Sequence, residues 1–175
     1  MQWKVRQASF ADVARLALVG GATFLETFAG VLDGDAIVEH CHREHSVAAY
    51  QHYLKAGARA WLLQLDPGSA PIGFALVGAT DLPGSISGGS DIELKRIYTL
   101  SRFHGSGAGA ELMRHIIEYV EQGSFKRLLL GVYAGNARAR AFYLKQGFAQ
   151  IADRRFRVGS RDYDDLVLAR QIASR

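Results

Sequence analysis

Apolar positions recur with two different spacings along the second half of the chain. Between Ala108 and Gln122 they lie three and four residues apart, which predicts an amphipathic helix. A continuous apolar run within residues 127–133 is typical of a strand that is buried on both faces of a sheet. Asn136 is expected to begin another helix that ends at Gly147, because asparagine caps helix N-termini and glycine favours the first residue after a helix. This half of the chain therefore alternates strand and helix.

The pattern in the first half of the chain also predicts helices. Ser9 is expected to cap a helix that carries Val13, Leu16 and Leu18. Residues 23–55 predict helix in pieces, with breaks at the glycines near positions 30 and 34.

Short apolar runs bounded by turn residues predict the remaining strands, at residues 4–7, 61–65, 72–78, 92–100, 148–158 and 162–169. The second and third of these form a hairpin around residues 66–68, and the last two pair around Gly159 and Ser160. Residues 81–90 are rich in Gly, Pro and Ser and predict a loop. This order predicts an α/β fold with a mixed sheet, in a single domain over residues 1–175.

Composition limits the classes of protein that remain. Of the 175 residues, 49% are hydrophobic and 22% charged, as in ordinary globular domains. No apolar run is long enough to span a membrane, and the N-terminus lacks the apolar region of a signal peptide. A single cysteine, Cys41, excludes an internal disulfide framework and is typical of a cytoplasmic protein. The net charge of +4 suits a polyanionic ligand, but no aromatic-interleaved basic segment favours nucleic acid.

Three glycines lie between the strand at residues 92–100 and the long helix: Gly105, Gly107 and Gly109. A ligand can approach glycine backbone closely, since no Cβ stands in the way. The first turn of a helix also has N–H groups without partners and the positive end of the helix dipole. The segment therefore predicts a pyrophosphate site, although a merely flexible loop would also be rich in glycine.

Two common phosphate motifs do not fit this turn. A P-loop is excluded because no Gly-Lys-Ser/Thr follows the glycines. A dinucleotide-binding G-x-G-x-x-A is formally met by Gly105, Gly107 and Ala110. That motif also needs an acid about 20 residues further on, at the end of the next strand, where residues 128–132 contain none.

A resemblance to a known protein family narrows the range of possible ligands. Residues 96–109 resemble the coenzyme A signature of the GNAT acetyltransferases, Q/R-x-x-G-x-G/A between a strand and a long helix. Residues 136–148 resemble the N-x-x-A-x-x-F-Y-x-x-x-G-F motif of the same family, in the same order along the chain. The resemblance implies the GNAT fold, a mixed central sheet in which a splayed strand pair holds acetyl-CoA between flanking helices. It implies no metal.

The resemblance also implies which residues bind acetyl-CoA. Ile97, Tyr98 and Thr99 would offer backbone groups to the pantetheine arm, and Asn136 would contact that arm or cap its helix. The pyrophosphate would lie against His104, Gly105, Ser106, Gly107, Ala108, Gly109 and Ala110. The family has Gln or Arg where this chain has His104, so the affinity could be weaker or depend on pH.

Two residues carry the expected chemistry. Tyr143 occupies the position at which many family members place the tyrosine that protonates the leaving thiolate, although it could also be a packed aromatic. A phenol with a pKa near 10 stays protonated at neutral pH. The base expected from the histone acetyltransferases of the superfamily is Glu93, whereas other relatives have a glutamate at the position of Gly131. Glu93 could instead be a paired strand acid on the same face as Asp91 and Lys95, with a water chain in place of a base.

The resemblance implies a small-molecule amine as the acceptor. Family specificity comes largely from the helices within residues 23–55, which here contain the acids Glu26, Asp33, Asp35, Glu39 and Glu44. An acid-lined cleft suits a cationic amine, and residues 93–98 and 23–28 also resemble PaiA-type polyamine acetyltransferases. Spermidine is therefore the expected acceptor, with a peptide N-terminus, an antibiotic or an amino acid left open. The alternatives are a non-catalytic acetyl-CoA-binding regulatory module and, for the assembly, a homodimer paired through the closing strands.

A cluster of histidines at residues 39–45 invites a metal interpretation. It has neither H-E-x-x-H nor paired-cysteine spacing, and His42 and His45 are three residues apart on a predicted helix. We expect a polar helix face that could line the acceptor cleft, and no metal.

Overall fold

The computed structural model describes residues 2–158 and 161–173, which are built around a seven-stranded sheet. The strands are β1 (Gln2–Gln7), β2 (Arg59–Asp66), β3 (Pro71–Gly78), β4 (Asp91–Thr99), β5 (Arg127–Tyr133), β6 (Ala149–Val158) and β7 (Arg161–Gln171). Their order across the sheet is β1-β2-β3-β4-β5-β7-β6. Neighbours are antiparallel except β4 and β5, which are parallel, so the mixed sheet predicted from the sequence is confirmed.

Helices cover both faces of the sheet. They are α1 (Val13–Phe28), α2 (Gly34–Glu44), α3 (Val47–Lys55), α4 (Ala108–Gln122) and α5 (Ala137–Lys145). Helices α1 and α3 pack against β2 and β3 on one face, which we call the α1–α3 face. Helices α4 and α5 pack on the opposite, α4–α5 face. Among the helices of the described residues, none is both long and apolar enough to cross a membrane.

Helix α4 packs into the main hydrophobic core of the molecule. Its apolar stripe, with Leu112, Met113 and Ile116, is completely buried against the sheet. Burying each of these side chains stabilises the fold by roughly 1.5–3 kcal/mol. The amphipathic spacing predicted from the sequence is thus the spacing that packs α4 against the sheet.

The two central parallel strands separate along their length. β4 and β5 pair from Asp91 and Arg127 as far as Glu93 and Leu129. Beyond that point β4 continues to pair with β3, and a register shift leaves Lys95 as an extra residue in a β-bulge. Because a bulge turns its strand and leaves backbone groups unpaired, β4 and β5 open into a V that faces the N-terminus of α4.

Helix α1 differs from its prediction. It runs without a break through Gly20, and Leu18, expected on its apolar face, is 67% exposed. A Cβ at Gly20 would overlap the ring of His45 and the hydroxyl of Tyr50. Glycine is needed there for close packing against α3 and not to end a helix. The break near position 30 is confirmed, and a further break that was not predicted lies at Ser46, whose Oγ accepts a hydrogen bond from the Ala49 N–H at 3.1 Å.

The remaining local predictions are largely confirmed. The hairpin of β2 and β3 and the loop at residues 81–90 are present. Asn136 caps α5, with its Oδ1 accepting from the Ala139 N–H at 3.0 Å, and Gly147 follows α5 at φ 81°. β6 and β7 pair as predicted, while the turn expected at Gly159 and Ser160 lies outside the described residues.

Candidate functional site

A cavity of about 460 Å³ occupies the V between β4 and β5. One wall is β4, with Ile97, Tyr98 and Thr99, and the opposite wall is α5. Its outer end reaches the glycine turn, and its inner end reaches Gly131 on β5. The fold therefore brings the two sequence motifs, which are far apart in the chain, to the two sides of one cavity.

The glycine turn has the backbone that only glycine adopts easily. Gly105 has φ 78° and Gly107, which caps α4, has φ 94°, and both line the cavity. A Cβ on either would project into open space, so it is the backbone angle and not crowding that requires glycine. The N–H groups of Gly109 and Ala110 belong to the first turn of α4, where a helix offers no partner. The turn fits a pyrophosphate.

Two predicted members of the turn do not line the cavity. The Ser106 hydroxyl donates to the Phe103 carbonyl at 2.7 Å, and Ala108 is completely buried against the sheet. Their backbone N–H groups also have partners within the turn, since that of Ser106 donates to the Phe103 carbonyl at 3.3 Å and that of Ala108 to Ser106 Oγ at 3.4 Å. Both residues therefore shape the turn.

His104 holds a basic side chain at the same rim. Its Nε2 donates to the Thr99 carbonyl at 3.0 Å, so the proton sits on that nitrogen and Nδ1 is free to accept from Arg138. Burial and the neighbouring guanidinium lower the pKa of His104, which keeps the ring neutral at neutral pH. The ring therefore serves as the acceptor that aims Arg138.

Arg138 and Lys145 are cavity-lining cations that sequence reasoning missed. Both lie on α5 and are exposed, seven residues apart and hence on the same helix face. That spacing within the second motif was the available signal. Together they give the outer rim a positive charge that neutral His104 does not supply.

Tyr143 lines the inner part of the cavity from α5. It is 8% exposed and packs against the rings of Phe142 and Phe148. Burial, with a smaller contribution from the charges of Tyr98 and Asp165, raises the pKa of Tyr143. The hydroxyl thus keeps its proton over the whole physiological range and can act as a donor.

Asn136 combines its cap with a place in the cavity wall. The side-chain oxygen is occupied by the Ala139 N–H, which leaves the amide NH₂ as the group available to a ligand. Both roles expected from the sequence are therefore compatible at this residue.

Glu93 is not brought together with the other predicted site residues. It lies where β4 and β5 are still paired, and it is not part of the cavity wall. Its Oε2 accepts from the Asp81 N–H at 2.9 Å and lies 3.3 Å from Lys95 Nζ. The carboxylate is held as a paired strand acid, and its role as a base stays a prediction.

An ion pair closes the cavity on the α1–α3 face. Arg96 lines the cavity, and its Nη2 donates to Glu44 Oε2 at 2.8 Å. The Tyr53 hydroxyl donates to the same oxygen at 2.8 Å, and its ring lies under the guanidinium. Burial opposes ionisation of Glu44, but the hydrogen bonds from Tyr53 and Arg43 and the charge of Arg96 lower its pKa to about 2. Both partners are therefore charged at neutral pH.

The acids expected to line an acceptor cleft lie in different places. Asp33 accepts from the Asp35 N–H at the start of α2, and both residues are exposed, as is Glu39. Glu44 is neutralised by Arg96, as described above. Glu26 borders a second recess of about 280 Å³ beside the cavity, where it accepts from the Ser101 N–H at 2.7 Å. Of the predicted acids, it is the one placed at the rim.

Two of the clustered histidines are core residues, contrary to the predicted polar face. His40 stacks on Phe24 with ring centroids 4.0 Å apart, and His45 shares a 2.9 Å hydrogen bond with the Tyr50 hydroxyl. Burial lowers the pKa of His40 to about 4 and that of His45 to about 3, so both are neutral. Within residues 2–158 and 161–173, no group of three or more His, Cys, Asp or Glu side chains is arranged to hold a metal ion.

Comparisons of the sequence and of the fold with known proteins both find acetyltransferases. A family model described as acetyltransferase (GNAT) family matches residues 26–148. An uncharacterised N-acetyltransferase of Mycobacterium tuberculosis is 30% identical over 161 residues, which cover 92% of this chain and 98% of the relative.

Two solved structures share the fold. The PaiA N-acetyltransferase of Thermoplasma acidophilum, in complex with coenzyme A, superposes with a TM-score of 0.77 at 18% identity, over 98% of this chain and 99% of the other. The YncA protein of Salmonella typhimurium, solved with its cofactor acetyl-CoA, has a TM-score of 0.74 at 18% identity, over 100% of this chain and 96% of the other. At this identity the likeness concerns the fold.

Proposed function

We propose that this chain, which belongs to the acetyltransferase (GNAT) family, transfers the acetyl group of acetyl-CoA to a small primary amine. The observation that carries the proposal is the placing of a buried tyrosine hydroxyl and a glycine-capped helix N-terminus on one cavity. When bound there, acetyl-CoA supplies an activated thioester carbonyl. The protein residues supply binding, orientation and protons.

The outer half of the cavity would hold the anionic part of acetyl-CoA. The backbone N–H groups of the glycine turn and the positive end of the α4 dipole face this region, as in other anion sites at helix N-termini. Arg138 and Lys145 add charge at the rim. The backbone of Ile97, Tyr98 and Thr99, with the Asn136 amide, would orient the pantetheine arm along β4.

Tyr143 would supply the proton that the leaving thiolate needs. A neutral phenol held in an apolar wall retains its proton until a basic sulfur is generated beside it, which is the requirement for a general acid. Positioned general acids contribute roughly 10²- to 10⁴-fold to the rate.

The acceptor would enter from the α1–α3 face. A polyamine such as spermidine is supported by Glu26 at the rim and by the fold likeness to PaiA. The paired state of Glu44 and the exposure of Asp33, Asp35 and Glu39 count against a broadly acidic cleft. A test set should therefore contain spermidine, a peptide with a free N-terminus, an aminoglycoside and single amino acids.

The test is release of free thiol from acetyl-CoA in the presence of each amine, with the acetylated product identified by mass. We expect release above background with at least one amine, and its loss in Tyr143→Phe. Tyr119→Phe makes the same change on α4, where the ring packs on Trp61 outside the cavity wall, and should keep the rate.

The same experiment separates the alternative of a non-catalytic acetyl-CoA-binding module. Such a module would bind acetyl-CoA in calorimetry yet release no thiol with any amine. Absence of both acetyl-CoA binding and thiol release would also contradict the proposal that acetyl-CoA is the cofactor.

A further inference from the structure

The side chains that line the cavity have an uneven charge. Among the described residues of this lining, four carry a positive charge and none is Asp or Glu: Lys95, Arg96, Arg138 and Lys145. Arg138 and Lys145 lie on α5 at the outer rim, where they would meet the anionic part of acetyl-CoA. The other two lie on β4, where that strand separates from β5 at the inner end of the cavity. Their side chains have no assigned role.

The ammonium of Lys95 is neutralised by its own surroundings. Its Nζ donates to Asp81 Oδ2 at 2.5 Å and to Glu93 Oε2 at 3.3 Å. Two carboxylates against one ammonium leave this group with a net negative charge, so it does not attract an anion. Arg96 is therefore the cation of the inner end that could bind a ligand.

The guanidinium of Arg96 is held in place by one of its two NH₂ groups. The side chain is 11% exposed, and its Nη2 donates to Glu44 Oε2 at 2.8 Å and to the Tyr53 hydroxyl at 3.2 Å. The centroid of the Tyr53 ring lies 5.0 Å from Arg96 Cζ. Nη1 is buried, and no group of the described residues accepts from it. Because a buried N–H without an acceptor destabilises a protein, this guanidinium is suited to a ligand that supplies one.

The position of Arg96 agrees with the side from which the acceptor would enter. Arg96 directly follows Lys95, the bulged residue at which β4 turns away from β5. Its partners Glu44 and Tyr53 lie on α2 and α3, so the side chain lies on the α1–α3 face. Helices α4 and α5, which would bind the cofactor, lie on the opposite face. An acceptor that enters from the α1–α3 face would therefore meet this guanidinium as it reaches the inner end.

We propose that the acceptor is an amine that also carries a carboxylate, as free amino acids do, and that Arg96 binds this carboxylate. The inference rests on the proposed function and narrows its acceptor. Hydrogen bonds between a guanidinium and a carboxylate are charge-assisted and roughly twice as strong as those between neutral groups. The ammonium groups of spermidine carry only N–H donors, and the described lining offers them no carboxylate.

The first test compares each free amino acid with its own carboxamide as acceptor for the wild-type chain. We expect kcat/KM for the best amino acid to exceed that of its amide roughly 10- to 100-fold, the effect of losing a hydrogen bond to a charged group. The amine of the amide is the less basic of the two, so a preference for the acid cannot come from a larger share of free amine. Equal values for both forms, or faster transfer to spermidine than to any amino acid, would overturn the proposal.

The second test removes the free donor and keeps the charge. Arg96→Lys retains a cation for Glu44 but loses Nη1. KM for the amino acid should rise roughly tenfold or more and the preference over the amide should be lost, while kcat and acetyl-CoA affinity change little, because only ground-state binding is removed. Arg59→Lys, at an exposed position outside the cavity wall, is the matched control and should keep the preference. If Arg96 were merely structural, its variant would lower the rates with acid and amide equally.

A binding measurement distinguishes failure of this inference from failure of the proposed function. Calorimetry of the same amino acids and amides with the coenzyme A-loaded wild-type chain should show at least tenfold tighter binding of the acid form. A chain that acetylates spermidine or the amides but no amino acid keeps the proposed function and contradicts the inference. If no amine is acetylated, the proposed function fails, and the binding measurement still decides the inference. Acid-selective binding then supports it, and equal or absent binding overturns it.

Discussion

The two ends of the cavity are built in different ways. The outer end, which would hold the cofactor, consists of one continuous turn and the helix that follows it, residues 104–110. The inner end, which would hold the acceptor, is built from residues distant in sequence, such as Arg96, which lines the cavity, and its partner Glu44. A ligand bound by the backbone of one continuous segment leaves a motif in the sequence. A ligand bound by side chains from distant segments leaves almost none.

The largest expected effect lies where the two ends meet. Tyr143→Phe removes the hydroxyl that donates the proton and leaves the aromatic ring in place. We therefore expect kcat to fall roughly 10²- to 10⁴-fold while acetyl-CoA affinity is unchanged. Steady-state kinetics with calorimetry measures both. An unchanged kcat would remove Tyr143 from the mechanism.

The next effect tests the inner end alone. Glu44→Gln leaves the Arg96 guanidinium buried without a counter-charge, and removing one partner of such a pair costs about 3 kcal/mol of unfolding free energy. Glu39→Gln, an exposed position on the same helix, should change it by less than about 0.5 kcal/mol. Urea unfolding measures both variants, and acetyl-CoA affinity should be unchanged in folded protein.

The same pair predicts a pH dependence with a definite sign. Because the folded pKa of Glu44 is lowered to about 2 from the ordinary 4.5, its contribution to stability is present above the ordinary value and is lost as the pH falls between the two. Glu44→Gln should flatten that part of the stability curve. Equal acid sensitivity of variant and wild type would contradict the ion pair.

A smaller effect tests the outer end. Arg138→Ala should weaken acetyl-CoA binding roughly five- to tenfold, since an exposed charge-assisted contact is screened by water. The loss should shrink at high salt. Arg140→Ala, on the same helix but outside the cavity wall, is the matched control and should bind as the wild type does.

The smallest effect concerns His104. With its pKa lowered and its Nδ1 accepting from Arg138, the ring is neutral at neutral pH, and acetyl-CoA affinity should change less between about pH 8 and 6 than it would with a histidine of ordinary pKa. A steep rise in affinity toward pH 6 would mean that the protonated ring binds the anion, as the sequence alone suggested. Calorimetry at the two ends of the range decides between them.

The contrast also explains what the sequence could predict. Helix α4 and the glycine turn follow from local spacing and backbone freedom, so both were predictable from residues 105–122 alone. The continuity of α1 through Gly20 was not, because it depends on contacts with His45 and Tyr50 that no local pattern contains. The same holds for the contact between Arg96 and Glu44, which are 52 residues apart in the chain.

The central claim is that the V between β4 and β5 holds acetyl-CoA with its thioester beside Tyr143. A crystal structure of the chain with coenzyme A tests it most directly. We predict the pyrophosphate on the backbone amides of residues 105–110 and the sulfur within hydrogen-bond reach of the Tyr143 hydroxyl. A sulfur placed away from that hydroxyl, or a pyrophosphate bound elsewhere, would contradict the account.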